Sequence, residues 1–222
     1  MADRYERDSS SYDRALGFFD AVYGFSLTLL VTTIDVTGTA TWESPYALIS
    51  NNGGELLSFG ISFIVIAVFW RNNHHMIGRL AALDGPTITA NIVVMGLVVF
   101  IPFTTDAIGD PQLQQLALPT ALYAVNVALC IIASVIMFQI AVSRGLTDNP
   151  VPKRVRKAQI IDGLSAPAVF LLSVPVTCWA VAIWQDSSAG KLFWLLLFIT
   201  GPIIGRWSAR IEAADTAVSA DA

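Results

Sequence analysis

Charge is scarce in this chain. Only 14% of its 222 residues are Asp, Glu, Lys or Arg, against about 25% in an average globular protein. A soluble domain of this size cannot cover its surface with so little. The 13 basic and 17 acidic residues leave a net charge of −4, so the basic face that a nucleic-acid partner requires is missing. Cysteine is nearly absent. Cys130 and Cys178 both fall in apolar stretches, which argues against a disulfide framework, and further metal ligands are lacking around them. Both read as small packing residues. There is no Ser-His-Asp set, no nucleotide loop and no metal constellation, so an enzyme is not expected and neither is a cofactor. A removable leader is not expected either. The opening MADRYERDSSSYDR mixes acids and bases and precedes no small-residue cleavage site, and the first apolar stretch is expected to serve as an uncleaved anchor.

Apolar residues are what the chain has in excess: 55% of the total, with a mean hydropathy of +0.62. A helix crosses a bilayer with roughly 20 such residues, because lipid offers exposed backbone groups no partner. Six stretches meet that demand. They run over about 15–34, 56–70 (continuing as a more polar helix to 83), 88–105, 116–142, 160–183 and 192–207. The bases sort with them. Arg4, Arg7 and Arg14 precede the first span, and Arg71 and Arg79 lie between the second and third. Arg144, Lys153, Arg154, Arg156 and Lys157 lie between the fourth and fifth, and Arg206 and Arg210 end or follow the sixth. With six spans all of these share one side, and only Lys191 of the 13 bases lies opposite. The positive-inside rule then predicts an all-α polytopic membrane protein with both termini cytoplasmic. Asp35, Glu43, Asp106, Asp110 and Asp186 fall in the outward loops, the longest of which is 36–55. A single six-helix transmembrane domain over 1–210 is expected to end in a flexible acidic tail, 211–222.

Several residues are expensive where they sit. Asp20 lies inside the first span and should face the bundle interior with a partner. Arg14, a base on another helix or a ring nitrogen are the candidates, and the role is either a packing pin or a gating, proton-sensing element. His74 and His75 close the second span in FWRNNHHMIGR. Adjacent helical positions point about 100° apart, so they suit a polar cluster better than a metal site. Asn91 and Asn126 lie deep in spans and should bond to neighbouring helices, while Asp162 is expected at the membrane interface. The first span also carries Gly17, Gly24, Ser26, Thr28, Thr32 and Thr33. Close packing explains them, and so does a pore-lining helix, on which Phe25, Leu29 and Thr32 share a stripe at i, i+4 and i+7 with Thr28 beside it.

Arg14-x-x-x-Phe18-Phe19-Asp20 resembles the Arg-x-x-x-Phe-Ser-Asp signature that opens the first helix of the lysosomal potassium channel family, that of transmembrane protein 175. The run AVYGFSLTLLV at 21–31 resembles the segment that follows it. ISFIVIAVFW with His74 and His75 resembles that family's second helix, Asn91 with FIPFTT at 100–105 its third, and LYAVN at 122–126 its fourth.

The resemblance implies a potassium-permeable channel, passive and without ATP, in which first helices from a homotetramer line the pore. The polar cluster would comprise Arg14, Phe18, Asp20, His74 and His75. Phe25, Leu29 and Thr32 would form the hydrophobic constriction, and Thr28 would stand where a threonine has been linked to potassium preference. No TVGYG-like filter is present. Potassium is the expected permeant ion, the bilayer the expected surrounding, and the plasma membrane of a prokaryote the expected location. Phe19 departs from the signature Ser, removing a hydroxyl near Asp20, and Phe25 departs from a smaller aliphatic residue. A proton-coupled exchanger or a proton leak is the alternative, although only Asp20 is a deep acid and no inverted repeat is visible.

Overall fold

With no water to satisfy backbone groups, a chain this apolar must close its hydrogen bonds within each segment. The computed structural model describes residues 4–36 and 39–220, with side chains to 215. Its elements are β1 (Arg4–Glu6), α1 (Ser10–Leu29), α2 (Pro45–Gly78), β2 (Ala82–Asp84), α3 (Gly85–Val99), α4 (Ile101–Gly109), α5 (Ala117–Ser143), α6 (Lys153–Trp184), α7 (Ser188–Phe193) and α8 (Leu197–Ala220). Short 3₁₀ turns join some of them, and among the described residues six helical segments are long and apolar enough to cross a membrane. The central helix α5 meets α3, α4 and α6; α1 leans on α2, α3 and α4 at one edge, and α8 packs on α6 at the other.

The six spans stand where hydropathy places them, with four informative differences. The second helix starts at Pro45, inside the segment expected as the longest loop. Ser44 caps it, accepting from the Ala47 backbone N at 3.0 Å, and proline suits the first helical turn. Turn-forming composition was the misleading signal. Asn52 does kink the helix (φ −118°, ψ 16°), and its amide donates to the Asp35 carbonyl at 2.8 Å. Gly54 then lets α2 touch α4: a Cβ there would lie 3.0 Å from the Gly109 carbonyl oxygen. Thr37 and Gly38 of the expected loop lie outside the described residues.

The same helix ends at Gly78 rather than near 83, because 82–84 leave it to pair antiparallel with β1, Tyr5 opposite Leu83. This small ribbon corrects a purely helical reading. The third span is interrupted at Phe100, since Pro102 has no N–H to continue the ladder. The sixth is built from α7, a 3₁₀ turn at Trp194–Leu196 and α8, which carries on as helix to Ala220 through the expected flexible tail.

Interior polar groups find one another across helices. Thr105 donates to Ser62 Oγ at 2.7 Å, and Ser62 shares a 3.0 Å hydrogen bond with the Tyr123 hydroxyl. The Tyr123 ring stacks on Trp194 at 5.2 Å, and the Trp194 indole donates to Ser173 Oγ at 2.9 Å. Asn73 Nδ2 donates to Asn91 Oδ1 at 2.6 Å, the cross-helix bond expected of Asn91. Asn126 differs: its amide nitrogen is buried without a partner among the described residues. Where α6 meets α7 there is no room for a side chain, and a Cβ on Gly190 would fall 1.8 Å from Thr177 Oγ1.

The N-terminal strand, the 79–84 and 144–152 links and α8 all meet at one end of the bundle, the end that carries most of the bases. Arg7 donates to Asp148 Oδ2 (2.8 Å) and to the carbonyls of Gly78 and Leu80 (2.8 and 2.7 Å). Arg79 pairs with Glu212 at 3.2 Å. The buried Asp84 caps α3 through the Thr87 backbone N at 3.0 Å and pairs with Arg144. Burial alone would raise the Asp84 carboxyl, but the Thr87 hydrogen bonds and the Arg144 guanidinium outweigh it and hold it below the usual carboxylate range. A carboxyl held down in the folded state stabilises at neutral pH, and that contribution is lost as pH falls through its folded value. Asp84→Ala should therefore cost about 1–3 kcal/mol at neutral pH, read as a lowered thermal midpoint in detergent. The gap from wild type should narrow in acid. An acid-independent gap would remove the Asp84 charge from the clasp.

Candidate functional site

Two faces of α1 differ in kind. Ser9 caps the helix, accepting from the Tyr12 backbone N at 3.3 Å. Tyr12, Phe19, Tyr23, Ser26, Leu30 and Thr33, spaced three, four or seven residues apart, are all buried against the bundle. Ser26 sits among them by donating its hydroxyl to the Val22 carbonyl at 2.9 Å. The opposite face carries Phe18, Phe25, Thr28, Leu29 and Thr32, and none of the described residues covers it: Phe25 is 70% exposed and Leu29 44%. The sequence-predicted stripe is thus a single outward strip along an edge helix.

The two threonines on that strip bond back into their own helix. Thr28 Oγ1 donates to the Phe25 carbonyl at 2.8 Å, and Thr32 Oγ1 donates to the Leu29 carbonyl at 2.7 Å. Each hydroxyl proton is spent inside the helix, which leaves the oxygen lone pairs as outward acceptors. Phe25 and Leu29 frame them with apolar surface. The backbone tightens into a 3₁₀ turn over Leu30–Thr33, which carries Thr32.

Nearer the clasped end, Asp20 finds its partner in a ring nitrogen. The Trp70 indole donates to Asp20 Oδ1 at 2.9 Å, and the Trp70 ring lies against His74 with centroids 5.7 Å apart. Of the expected polar cluster, the structure joins Asp20 and His74 through Trp70. Arg14 makes no ion pair among the described residues. His75 points elsewhere, onto a cavity shared with α5, α6 and α8. Phe18 lies outward, 55% exposed, edge-on to Phe19 at 6.3 Å. Phe19 itself is 1% exposed in the hydrophobic core, so the hydroxyl lost at this position is replaced by packing. Trp70 was the residue that motif reading passed over; its signal was an indole within FWRNNHH, where a span meets its polar end.

At the far end, Glu55 Oε2 accepts from the Asp35 backbone N at 2.9 Å and from Asn52 Nδ2 at 3.1 Å. Lys191 Nζ donates to the Ile108 carbonyl at 2.8 Å, tying α7 to the end of α4.

Residues 14–102 match the family model described as the endosomal/lysosomal potassium channel TMEM175. A curated protein from Chryseobacterium sp. (strain P1-3), named a potassium channel, is 25% identical over 124 residues, which are 56% of this chain and 62% of that protein. Another from Streptomyces collinus (strain DSM 40733 / Tue 365), also named a potassium channel, is 26% identical over 129 residues, 57% of this chain and 60% of that protein. The matches thus span about three-fifths of the length of these relatives. The fold is that of a crystal structure of a homolog of the lysosomal potassium-selective channel TMEM175 from Chamaesiphon minutus. The TM-score is 0.67 at 21% identity, covering 90% of this chain and 99% of that one.

If the indole is what holds the Asp20 carboxylate, Trp70→Phe should lower the thermal midpoint by the equivalent of about 1 kcal/mol. Adding Asp20→Asn should then cost less than it does in the wild-type background. Equal costs in both backgrounds would uncouple the pair.

Proposed function

We propose that this chain, which matches the TMEM175 family model over residues 14–102, is a passive, potassium-permeable cation channel whose pore is lined by α1 from several copies. The observation that carries this reading is the uncovered strip of Phe25, Thr28, Leu29 and Thr32 on an edge helix. Both threonine hydroxyls donate within the helix, so their oxygens keep lone pairs that a cation can use. Four α1 helices turned about a common axis would bring the strips together as a ring. Phe25 and Leu29 then narrow the passage and exclude water, and the Thr28 and Thr32 oxygens replace part of the water that a potassium ion sheds there.

The homotetramer rests on resemblance, and the edge position of α1 suits it. The clasped end carries 12 of the 13 bases when α1 begins there, and by the positive-inside rule it faces the cytoplasm. The membrane is then the plasma membrane of a prokaryote. At the other end, Asp35, Glu55, Asp106 and Asp110 would raise the local cation concentration before entry. Asp106 is close enough to the other three to feel their charge. Movement follows the electrochemical gradient and requires neither ATP nor a cofactor.

Liposomes holding the purified protein under opposed potassium and sodium gradients provide the test. The expected reversal potential lies toward that of potassium, and Phe25→Ala should raise conductance and weaken the preference over sodium. Currents unchanged in Phe25→Ala would take α1 out of the pore. Flux that saturates and requires a proton gradient would replace the channel by an exchanger.

A further inference from the structure

The face of α2 that carries His75 looks onto α5, α6 and α8, and between them lies a cavity of about 510 Å³. Most of its wall is apolar, with Val68, Met76, Ile131 and Phe138 contributing. Two acceptors on that wall have no donor among the described residues. The Asp162 carboxylate takes no hydrogen bond or ion pair among the described residues. Gln159 Oε1 is buried without a partner, while the nitrogen of the same amide donates to Glu212 at 3.3 Å. The guanidinium of Arg79, which also lines the cavity, is already engaged. It pairs with Glu212 at 3.2 Å and lies 5.2 Å over the Phe138 ring. Those two charges cancel, and the carboxylate of Asp162 remains. His75 adds an imidazole to the same wall.

A buried amide oxygen is costly until an N–H donor reaches it, and the half-buried carboxylate one turn away calls for a cation. The apolar remainder of the wall requires hydrocarbon. The volume lies within the roughly 300–1,000 Å³ of small-molecule sites. Glycines at 201 and 205 help keep the space open, and even a Cβ on Gly205 would stay 3.8 Å from Asp162 Oδ1. Asp162 is nine residues into α6 from Lys153, or about 14 Å along the axis, and follows the bases at 153–157 by little more than a turn, which puts it near the membrane interface.

We infer that this cavity, off the proposed conduction path, binds an amphiphilic organic ammonium whose N–H groups donate to Asp162 and Gln159 Oε1 while its hydrocarbon lies against Val68 and Phe138. The ammonium must carry N–H; a quaternary nitrogen satisfies the charge but neither acceptor. An ethanolamine phospholipid headgroup and a free primary amine both fit this chemistry.

Native mass spectrometry of the intact detergent-solubilised protein separates the two sources. The probes are 4-phenylbutylamine, 4-phenylbutanol, and phosphatidylethanolamine and phosphatidylcholine of matched chains. Wild type should retain the amine, the ethanolamine lipid or both, and discriminate against the alcohol and the choline lipid. Retention of the amine alone assigns the site to free amines, and retention of the lipid alone to the bilayer; both outcomes support the site. Asp162→Asn, nearly isosteric, should weaken retention by about tenfold or more. Ala166→Phe, which fills the cavity from α6, should abolish it. Thermal midpoints keep the reading clean, and if Asp162→Asn fails to fold, Gln159→Leu takes its place with a smaller loss expected. Retention equal in wild type and these variants, equal binding of amine and alcohol, or no binding at all overturns the proposal. None of these readouts depends on ion flux, so the site and the channel reading can fail separately.

Discussion

Helices in lipid gain little by hiding their apolar faces from one another, because the tails around them are equally apolar. What holds this bundle together therefore has to be close contact and polar bonds made across helices. Both are visible. The Thr105–Ser62–Tyr123 hydroxyl chain ties α4, α2 and α5, and the Tyr123–Trp194 stack passes the contact on to the start of the sixth span. Backbone touches backbone where Gly54 meets Gly109. The charged groups gather at the ends, above all in the clasp of Arg7, Asp148, Asp84, Arg144, Arg79 and Glu212. That clasp sets four chain segments at one level, and in doing so it fixes where α1 enters the bundle.

The entry position of α1 determines what its outer face can do. Held by its Tyr12–Thr33 stripe against α2, α3 and α4, it can neither turn its threonines inward nor bury Phe25. Its exposed strip therefore keeps hydroxyl oxygens and large apolar groups side by side, the arrangement on which the pore proposal rests. The same anchoring brings Asp20 to Trp70, so the acid inside the first span and the face that would conduct ions are positioned by one set of contacts.

Much of this was legible beforehand, and for simple reasons. The six spans follow from hydropathy, since a membrane helix has to be apolar over its whole length, and the sorting of the bases follows from the cost of moving them. The outward strip was visible as i, i+4, i+7 spacing. Misreadings arose where local composition competes with tertiary contact. The segment 45–55 is rich in turn formers, yet Ser44 and Pro45 start a helix and Gly54 is used for close approach to α4. Residues 79–84 look like more helix until they find β1 as a partner. Phe19 looks like a loss at a polar cluster and is instead part of the core.

By itself the sequence determined that this is a six-helix membrane protein, which end of the bundle holds the bases, and which residues of the first helix share a face. These are properties of one segment at a time, set by periodicity and by the cost of charge in lipid. Only the tertiary structure decided which face of α1 is covered, that Trp70 rather than Arg14 answers Asp20, and that Asp162 and Gln159 line a common cavity. The Asp20–Trp70 bond joins residues 50 positions apart, and the cavity gathers side chains from α2, α5, α6 and α8; no local pattern records such a meeting.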